Sequence, residues 1–393
     1  MRKYGHQYPV KNIYVNIPYC ESKCYWCYIP IQIGNKDKAN SYFQAIKEEI
    51  GNFDINQESI TTSIVIERVY FGGGTANFLS SSHLAEIFNL LKHKFCFSNT
   101  PIVSIEVFPN WQNKEPFEEL LQAGFNRVSV SAQSFNDQRL LFLSRHHSSR
   151  DCNRTISAAK NAGFENVAIE LMWGYDNAPL YEMYSDFEIA INSGVNEISS
   201  QWFNINNNGT PPESTDDYRL EKCFNFAMEL ALKSGYTSPH IQVFNLFPYN
   251  SVPNGNNGPG ITYTYNGGIL GFGWGSKTYI NDSLAVHSEK LNEYIRNPKA
   301  EKKYTKIDRS FSELGMMLYN LTAFRSFDPE DFLSFNKYES LKQSQPVYSW
   351  LNQLTKAGLV KVNNNGTFLL TEKGDPLLDK YMAWLGLNNR GGV

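Results

Sequence analysis

The chain has 393 residues, more than one small core accommodates, so we expect a large α/β domain with a smaller appended unit. Its 36 basic and 39 acidic residues leave a net charge of -3 with no basic stripe, which argues against nucleic acid as a partner. The sequence has no run of about 18 apolar residues and no secretory signal at its start, so we expect a cytoplasmic protein without membrane contact.

Short apolar segments rich in β-branched residues alternate with helical patterns along the first half of the chain. This alternation is typical of βα units and predicts an α/β fold, with the parallel sheet curved into a partial (β/α)6 barrel. Stretches 41–50 and 84–91 each place their apolar side chains on one helical face. Ligands bind at the carboxyl ends of such strands. Six strands are predicted, at residues 13–17, 64–71, 102–108, 128–134, 167–172 and 197–203.

The last third of the chain differs in character. Residues 250–275 are dense in glycine, asparagine and proline, which indicates a long loop followed by a glycine-rich turn. Nearer the end, a helix that stops near residue 358, a short strand, an Asn-Gly turn and a strand at 367–370 indicate a winged-helix unit. We therefore predict a partial barrel with its glycine-rich extension at residues 1–290, and a small C-terminal α+β winged-helix-like domain at residues 291–393.

Three cysteines follow the first predicted strand with the spacing CxxxCxxC, at Cys20, Cys24 and Cys27. Three thiolates on one tight loop suit three irons of a cubane cluster and leave the fourth iron open to another ligand. The alternatives are a zinc loop, for which His6 is the only nearby fourth ligand, or three unrelated buried thiols. The remaining cysteines, Cys96, Cys152 and Cys223, stand singly and are predicted to be small buried apolar groups.

The motifs IPYCESKCYWCYIP, VYFGGGTANFL, SIEVFPN and LSRHHS follow successive predicted strands. In this order they resemble the oxygen-independent coproporphyrinogen III oxidase-like (HemN/HemW-like) branch of the radical S-adenosylmethionine (SAM) superfamily, over most of the chain. The resemblance implies a [4Fe-4S] cluster on Cys20, Cys24 and Cys27. It also implies reductive cleavage of SAM to a 5'-deoxyadenosyl radical, with an electron donor such as flavodoxin or ferredoxin.

The same resemblance assigns the residues around SAM. Tyr14 corresponds to a tyrosine that approaches SAM and the cluster, and Trp26 to an aromatic residue against the adenine. Arg145 corresponds to the partner of the SAM carboxylate, and Glu170 takes the place of an acidic residue that holds the ribose hydroxyls. The other implied SAM contacts are Gly72, Gly73, Gly74, Thr75, Glu106 and Gln133.

Two departures from the family bear on the reaction. Ile29 stands where the porphyrinogen oxidases have a further cysteine, and the segment ITYTYNGGILGFGWGSKT lacks the histidine of the heme chaperones. The expected function is therefore that of a class C methyltransferase-like enzyme. It would use a second SAM molecule to transfer a methyl or methylene carbon to an unactivated carbon of a small planar or natural-product substrate. The alternatives are radical chemistry on a tetrapyrrole, either coproporphyrinogen oxidative decarboxylation or anaerobic heme degradation, and a heme carrier that no longer turns SAM over.

Overall fold

The structure is a computed structural model of the chain. Trp26 and most of the glycine-rich segment 250–275 lie outside the residues that it describes. Within the described residues, no helix is both long and apolar enough to cross a membrane. The described residues are 10–25, 27, 29–34, 36–54, 64–173, 180–202, 217–240, 243–245, 268–280, 283–287, 290–299, 302–306, 314, 317, 321, 326–336 and 338–374.

Strands and helices alternate through the first 233 residues, as βα units require. The strands are β1 (Val10–Ile17), β2 (Tyr19–Cys20), β3 (Gln32–Ile33), β4 (Ile64–Gly73), β5 (Phe97–Val107), β6 (Arg127–Gln133), β7 (Asn166–Trp173), β8 (Glu197–Trp202), β9 (Thr237–His240), β10 (Val243–Asn245), β11 (Gly268–Phe272), β12 (Lys277–Ile280), β13 (Ser283–Val286), β14 (Lys303–Lys306), β15 (Ser326–Phe327), β16 (Val360–Val362) and β17 (Phe368–Leu370). The α-helices are α1 (Lys36–Asn52), α2 (Ser81–Lys94), α3 (Glu115–Ala123), α4 (Asp137–Phe142), α5 (Ser149–Ala162), α6 (Leu180–Asn192), α7 (Asp217–Lys233), α8 (Leu291–Arg296), α9 (Pro329–Asn336) and α10 (Gln345–Lys356).

One sheet of twelve strands dominates the described residues, in the order β14-β13-β12-β11-β1-β4-β5-β6-β7-β8-β10-β9. The six predicted strands form its centre as β1 and β4 to β8, and neighbours among them pair in parallel. The α/β fold is thus confirmed, and β11 pairs in parallel with β1 as a seventh parallel strand. Because the strands are parallel, their carboxyl ends meet at one edge, and this edge carries the candidate site.

The sequence explains why these strands lie in the centre. Every residue of β6 is buried, as expected for a parallel strand with helices on one face and the barrel interior on the other. Helix α1 packs against the sheet through Phe43, Ile46 and Ile50, which are at most 3% exposed. These residues form the apolar face predicted for stretch 41–50, so the helical period was a reliable guide.

The C-terminal elements follow the predicted order. Helix α10 is capped at Ala357, and Gly358 then takes the left-handed conformation with φ +72°. Strands β16 and β17 pair antiparallel across the turn at residues 363–366, and β15 joins β17. Leu351, Leu354 and Val360 belong to an apolar cluster of their own. The domain boundary at residue 290 stays a prediction, and α8 packs on the barrel core through the fully buried Tyr294.

The three isolated cysteines divide into two groups. Cys152 and Cys223 are buried, as predicted, but Cys96 is exposed, so that prediction was wrong. Cys96 lies between α2 and β5, next to Phe95, which is only 6% exposed. At this junction the phenylalanine takes the inward position and turns the cysteine toward solvent.

Candidate functional site

A cavity of about 290 Å³ opens at the carboxyl edge of the central strands. It collects side chains that are far apart in the sequence, from the loop after β1 to the end of β7. Gly72 is not part of its lining, because that glycine lies behind the rings of Tyr14 and Tyr70. The lining includes most of the residues singled out from the sequence, namely Tyr14, Cys20, Cys24, Cys27, Gly73, Gly74, Thr75, Glu106, Gln133, Arg145 and Glu170.

The loop with the three cysteines is held at both ends by backbone hydrogen bonds. Gln32 N donates to Pro18 O over 2.6 Å, and Gly34 N donates to Cys20 O over 2.7 Å. These bonds form the short parallel pair of β2 and β3. The pair closes the base of the loop, so its three half-buried thiols face the same cavity.

Groups from two other segments contact the thiols. Thr75 Oγ1 lies 3.4 Å from Cys20 Sγ, and the Arg145 Nη1 donates to Cys24 Sγ over 3.5 Å. Glycine is needed beside Cys20, because a Cβ atom at Gly74 would stand 2.8 Å from Cys20 Sγ and 2.8 Å from Tyr19 O. The GGGT segment and the arginine segment therefore approach the cysteine loop as closely as a shared cofactor site requires.

The three thiols of one loop are a donor set that fits a cubane cluster. No three His, Cys, Asp or Glu side chains of the described part of the chain are close enough together to chelate one metal ion. A cubane makes a different demand, since each thiolate binds its own iron and the thiolates stand further apart. Burial raises the pKa of Cys20 to about 11, whereas the Thr75 hydroxyl acts in the opposite direction. Iron binding stabilises the thiolate form and so overcomes the effect of burial.

The carboxylates of the half-buried Glu106 on β5 and the buried Glu170 on β7 face the cavity from either side of β6. Tyr70 Oη donates to Glu106 over 3.3 Å, and Ser129 Oγ donates to Glu170 over 3.1 Å. Burial, and secondly the charge of Glu170, raise the pKa of Glu106 to about 8, and burial also raises the pKa of Glu170. Such a pair favours a ligand that brings positive charge or hydrogen-bond donors, because either one stabilises the ionised carboxylates.

Arg145 and Gln133 meet at the end of β6. Arg145 Nη2 donates to Ser131 O, Gln133 Nε2 donates to Ser131 Oγ over 2.8 Å, and the guanidinium carbon lies 4.6 Å from the centre of the Phe108 ring. Among the described residues, Gln133 and Ser144 alone combine a positive φ with a side chain, at +67° and +55°. Backbone strain of this kind concentrates at functional sites. Here it occurs at Gln133 itself and at Ser144, the residue before Arg145, and Gln133 and Arg145 are both predicted SAM contacts.

Several site residues were missed from the sequence. Ser129 and Ser131 share the interior face of β6 with Gln133, and the period of two in SVSAQ was a signal that could have revealed them. Tyr70 stacks on Tyr14 with ring centres 5.9 Å apart. Asp186 on α6 accepts from Ser134 Oγ at 2.6 Å and from Phe135 N at 2.7 Å, which fixes the turn after Gln133. No sequence signal linked Asp186 to this turn, because the contact spans about fifty residues.

Known proteins resemble the chain in both sequence and fold. Residues 14–179 match the profile of the Radical SAM superfamily. The heme chaperone HemW of Haemophilus influenzae is 25% identical over 390 residues, covering 95% of this chain and 97% of HemW. The oxygen-independent coproporphyrinogen III oxidase of Escherichia coli is 28% identical over 171 residues, covering 43% of this chain and 36% of the oxidase. The solved structure of coproporphyrinogen III oxidase (HemN) from Escherichia coli, a radical SAM enzyme, is similar to the fold of this chain with a TM-score of 0.77 at 18% identity, covering 98% of this chain and 92% of that one.

These relatives correct the predicted reaction. Methyl or methylene transfer to a substrate carbon was wrong, because the curated relatives are heme chaperones and porphyrinogen oxidases. A second SAM molecule, which that reaction needed, has no support either. The prediction rested on the missing cysteine at Ile29 and on a missing histidine, and single ligand positions do not define a substrate class. The superfamily itself implies a [4Fe-4S] cluster and SAM. The chain contains a radical SAM domain at residues 14–179 and is a homologue of the HemN and HemW proteins.

Proposed function

We propose that Cys20, Cys24 and Cys27 hold a [4Fe-4S] cluster and that one SAM molecule binds beside it in the same cavity. The support is that these thiols and the polar residues of five other segments line one space. When bound and reduced, the cluster supplies the electron for reductive cleavage of SAM. A flavodoxin or ferredoxin would supply that electron in turn.

The residues of the cavity have separate tasks in this proposal. Arg145, held above Phe108, pairs with the SAM carboxylate, and Glu106 and Glu170 accept hydrogen bonds from the amino group and the ribose. Glu106, whose pKa burial raises to about 8, gives up a proton as these donors and the sulfonium arrive, since a nearby positive charge favours the ionised form. Tyr14, Gln133 and the backbone of Gly73 and Gly74 complete the contacts, and Trp26 covers the adenine.

For the reaction, we propose radical chemistry on a tetrapyrrole. One observation carries this choice: heme chaperones and a coproporphyrinogen oxidase match the same cysteine domain, and the former match nearly the full chain. The names of these relatives refer to heme or to coproporphyrinogen, and both compounds are tetrapyrroles. In this proposal, residues 1–290 form the catalytic barrel, and residues 291–393 form a C-terminal domain.

A second candidate is a heme carrier that does not turn SAM over. The observation that favours it is the similarity to HemW over 97% of that protein's length. A carrier needs a heme site but no substrate-dependent cleavage of SAM. The two candidates therefore differ in whether a tetrapyrrole accelerates the cleavage of SAM.

The test is an anaerobic assay of cluster-loaded protein with reductant, SAM and either coproporphyrinogen III or heme. The proposed enzyme forms 5'-deoxyadenosine much faster with one of these tetrapyrroles than without, and the tetrapyrrole product changes in mass. A carrier binds heme, visible as a change in the heme absorption spectrum, but its 5'-deoxyadenosine formation stays at background. Protein in which Cys20, Cys24 and Cys27 are all alanine is the control and should form no 5'-deoxyadenosine.

Equal rates of 5'-deoxyadenosine formation with and without each tetrapyrrole, together with no heme binding, would refute both candidates. Full iron and sulfide content in the triple alanine variant would refute the cluster assignment itself.

A further inference from the structure

Thr75 is the last residue of the GGGT segment, and the resemblance assigns it to SAM. In the structure its hydroxyl contacts the cysteine loop, with Oγ1 3.4 Å from Cys20 Sγ, inside the cavity. This distance is within hydrogen-bonding range for a sulfur partner. The contact joins two segments that are 55 residues apart in the chain.

The Thr75 hydroxyl does not form the capping hydrogen bond that its position at the start of a helix suggests. Thr75 is the N-cap of the short 3-10 helix Ala76–Phe78, where a threonine side chain commonly accepts a hydrogen bond from a backbone N–H. Here the side chain makes no capping bond, and Phe78 N instead donates to the Thr75 backbone carbonyl over 3.0 Å. The hydroxyl is therefore available to the sulfur, and its removal leaves the helix start intact.

Iron ligation fixes the direction of this hydrogen bond. A ligating cysteine has lost its proton, so Cys20 Sγ can only accept and the Thr75 O–H must donate. The glycine before Thr75 allows this close approach, because a Cβ atom at Gly74 would stand 2.8 Å from Cys20 Sγ. Hydrogen bonds to cluster sulfurs are among the features that set cluster reduction potentials.

We propose that the Thr75 hydroxyl donates a hydrogen bond to the Cys20 thiolate and thereby raises the reduction potential of the cluster. The reduced cluster carries one more negative charge, so the donor stabilises it more than the oxidised cluster. Thr75 is in this sense a positioning residue that acts on the cluster through Cys20. The inference rests on the proposed role of Cys20 as a cluster ligand, but it is independent of the identity of the substrate.

The experiment compares Thr75→Val with Thr75→Ser in the cluster-loaded protein. Valine keeps the shape and the β-branch but removes the donor, whereas serine keeps the donor. The matched control is Thr155→Val on α5, because Thr155 is buried and its hydroxyl has no hydrogen-bond partner. The readouts are the midpoint potential from an anaerobic redox titration followed by electron paramagnetic resonance, and the iron and sulfide content of each variant.

Thr75→Val is expected to lower the ratio of reduced to oxidised cluster at a fixed potential by about tenfold, a shift of about 59 mV to more negative values for a one-electron couple. Thr75→Ser and Thr155→Val should stay near the wild-type midpoint. Loss of the cluster from the valine variant, with retention in the serine variant, would also support the contact.

Two results would overturn the inference. One is an unchanged midpoint in Thr75→Val, and the other is an equal shift in Thr75→Val and Thr75→Ser, which would assign the effect to side-chain shape. A wild-type protein that takes up no cluster would instead refute the proposed function, and with it the premise about Cys20. A failed tetrapyrrole assay with normal cluster loading leaves the Thr75 comparison fully informative.

Discussion

At the scale of single residues, Gly74 is a position where one methyl group should disturb the cysteine loop. A Cβ atom there would stand 2.8 Å from both Cys20 Sγ and Tyr19 O, closer than side chains pack. We expect Gly74→Ala to reduce iron and sulfide content severalfold after anaerobic reconstitution, because the cysteine loop must move away. Gly51→Ala in α1 is the control, since a Cβ atom there meets nothing within 4 Å. Equal cluster content in both variants would contradict this account of the glycine.

Glu106 should link pH to stability. Its pKa is raised from 4.5 to about 8, chiefly by burial, so the unfolded chain loses this proton at lower pH than the folded one. Its contribution to the free energy of unfolding therefore falls as the pH rises from 4.5 toward 8. Glu106→Gln removes this fall, because a neutral side chain has no proton to lose.

We thus expect the Glu106→Gln variant to melt at a higher temperature than the wild type near pH 8 and to bind SAM more weakly. Thermal melts of both proteins between pH 4.5 and 8 measure the first effect, and equilibrium dialysis with labelled SAM measures the second. A melting temperature whose pH dependence is the same in both proteins would show that Glu106 ionises normally. The variant would then gain nothing from losing the carboxyl.

The three cysteines of the proposed cluster site could be found from their spacing in the sequence, but the residues that contact them could not. CxxxCxxC is a local pattern, whereas the contacts of Thr75 with Cys20 and of Arg145 with Cys24 depend on segments 55 and 121 residues away. The sequence order of the motifs indicated that such segments belong to one site. It did not indicate which atom faces which, and that is why the role of Thr75 emerges only from the structure.

At the scale of elements, a buried ion pair joins strands that are not neighbours. Arg127 on β6 and Glu197 on β8 meet at 2.5 Å across the barrel interior, with side chains 4% and 0% exposed. Removing one partner leaves the other charge buried. We expect Glu197→Leu to lower the free energy of unfolding by about 3 to 5 kcal/mol, measured by urea denaturation.

The double variant Arg127→Met with Glu197→Leu should recover much of that loss, because two apolar side chains leave no unpaired charge. Lys233→Ala, which breaks an exposed pair with Glu229 on α7, is the control and should have little effect. If the double variant is as unstable as Glu197→Leu alone, the cost comes from packing and not from charge.

The elements themselves were largely accessible from the sequence. Runs of β-branched residues located all six central strands, although β1 begins at Val10 instead of residue 13 and β5 begins at Phe97 instead of residue 102. The early part of β5 contains Ser98, Asn99 and Thr100, polar residues that give no apolar signal. Pairing with β4 at Ile66 and Phe97 extends the strand there, and pairing between strands is invisible in a single segment.

At the scale of the whole molecule, a buried network fastens the first helix to the elements that follow β11. Glu49 on α1 accepts from His287 Nε2 at 2.8 Å, from Tyr294 Oη at 2.7 Å and from Gly273 N at 2.7 Å, and it pairs with Lys302 Nζ at 3.0 Å. Burial alone would raise the pKa of Glu49, but Lys302 and His287 outweigh it and hold the pKa at about 2. The network joins segments more than two hundred residues apart.

A lowered pKa stabilises the folded chain above the unfolded value of 4.5, and this stability is lost as the pH falls from 4.5 toward 2. We expect Glu49→Gln to lower the free energy of unfolding at pH 7 by about 3 kcal/mol, because Lys302 stays buried without its counter-charge. Acid and urea denaturation measure both effects. Glu48→Gln, next to it on α1 and paired with the half-exposed Lys299, is the control and should cost less than about 1 kcal/mol.

The function was harder to predict from the sequence than the fold or the site. The motifs gave the cofactor chemistry, since cluster and SAM contacts are local patterns in a fixed order. The predicted substrate class was wrong, because it was inferred from two family residues that this chain lacks. Their absence says less about the substrate than the relatives that match nearly the whole length of the chain.

The sheet has two free ends. Within the described residues its strand order runs from β14 to β9 and does not return on itself, so the wall around the cavity is a crescent and not a ring. The cavity of about 290 Å³ is lined by the residues proposed to hold the cluster and SAM, so in the proposed function these two groups take up its space. A substrate would then reach the reacting centre through the opening between the two ends of the sheet, without any described strand having to separate from its neighbour.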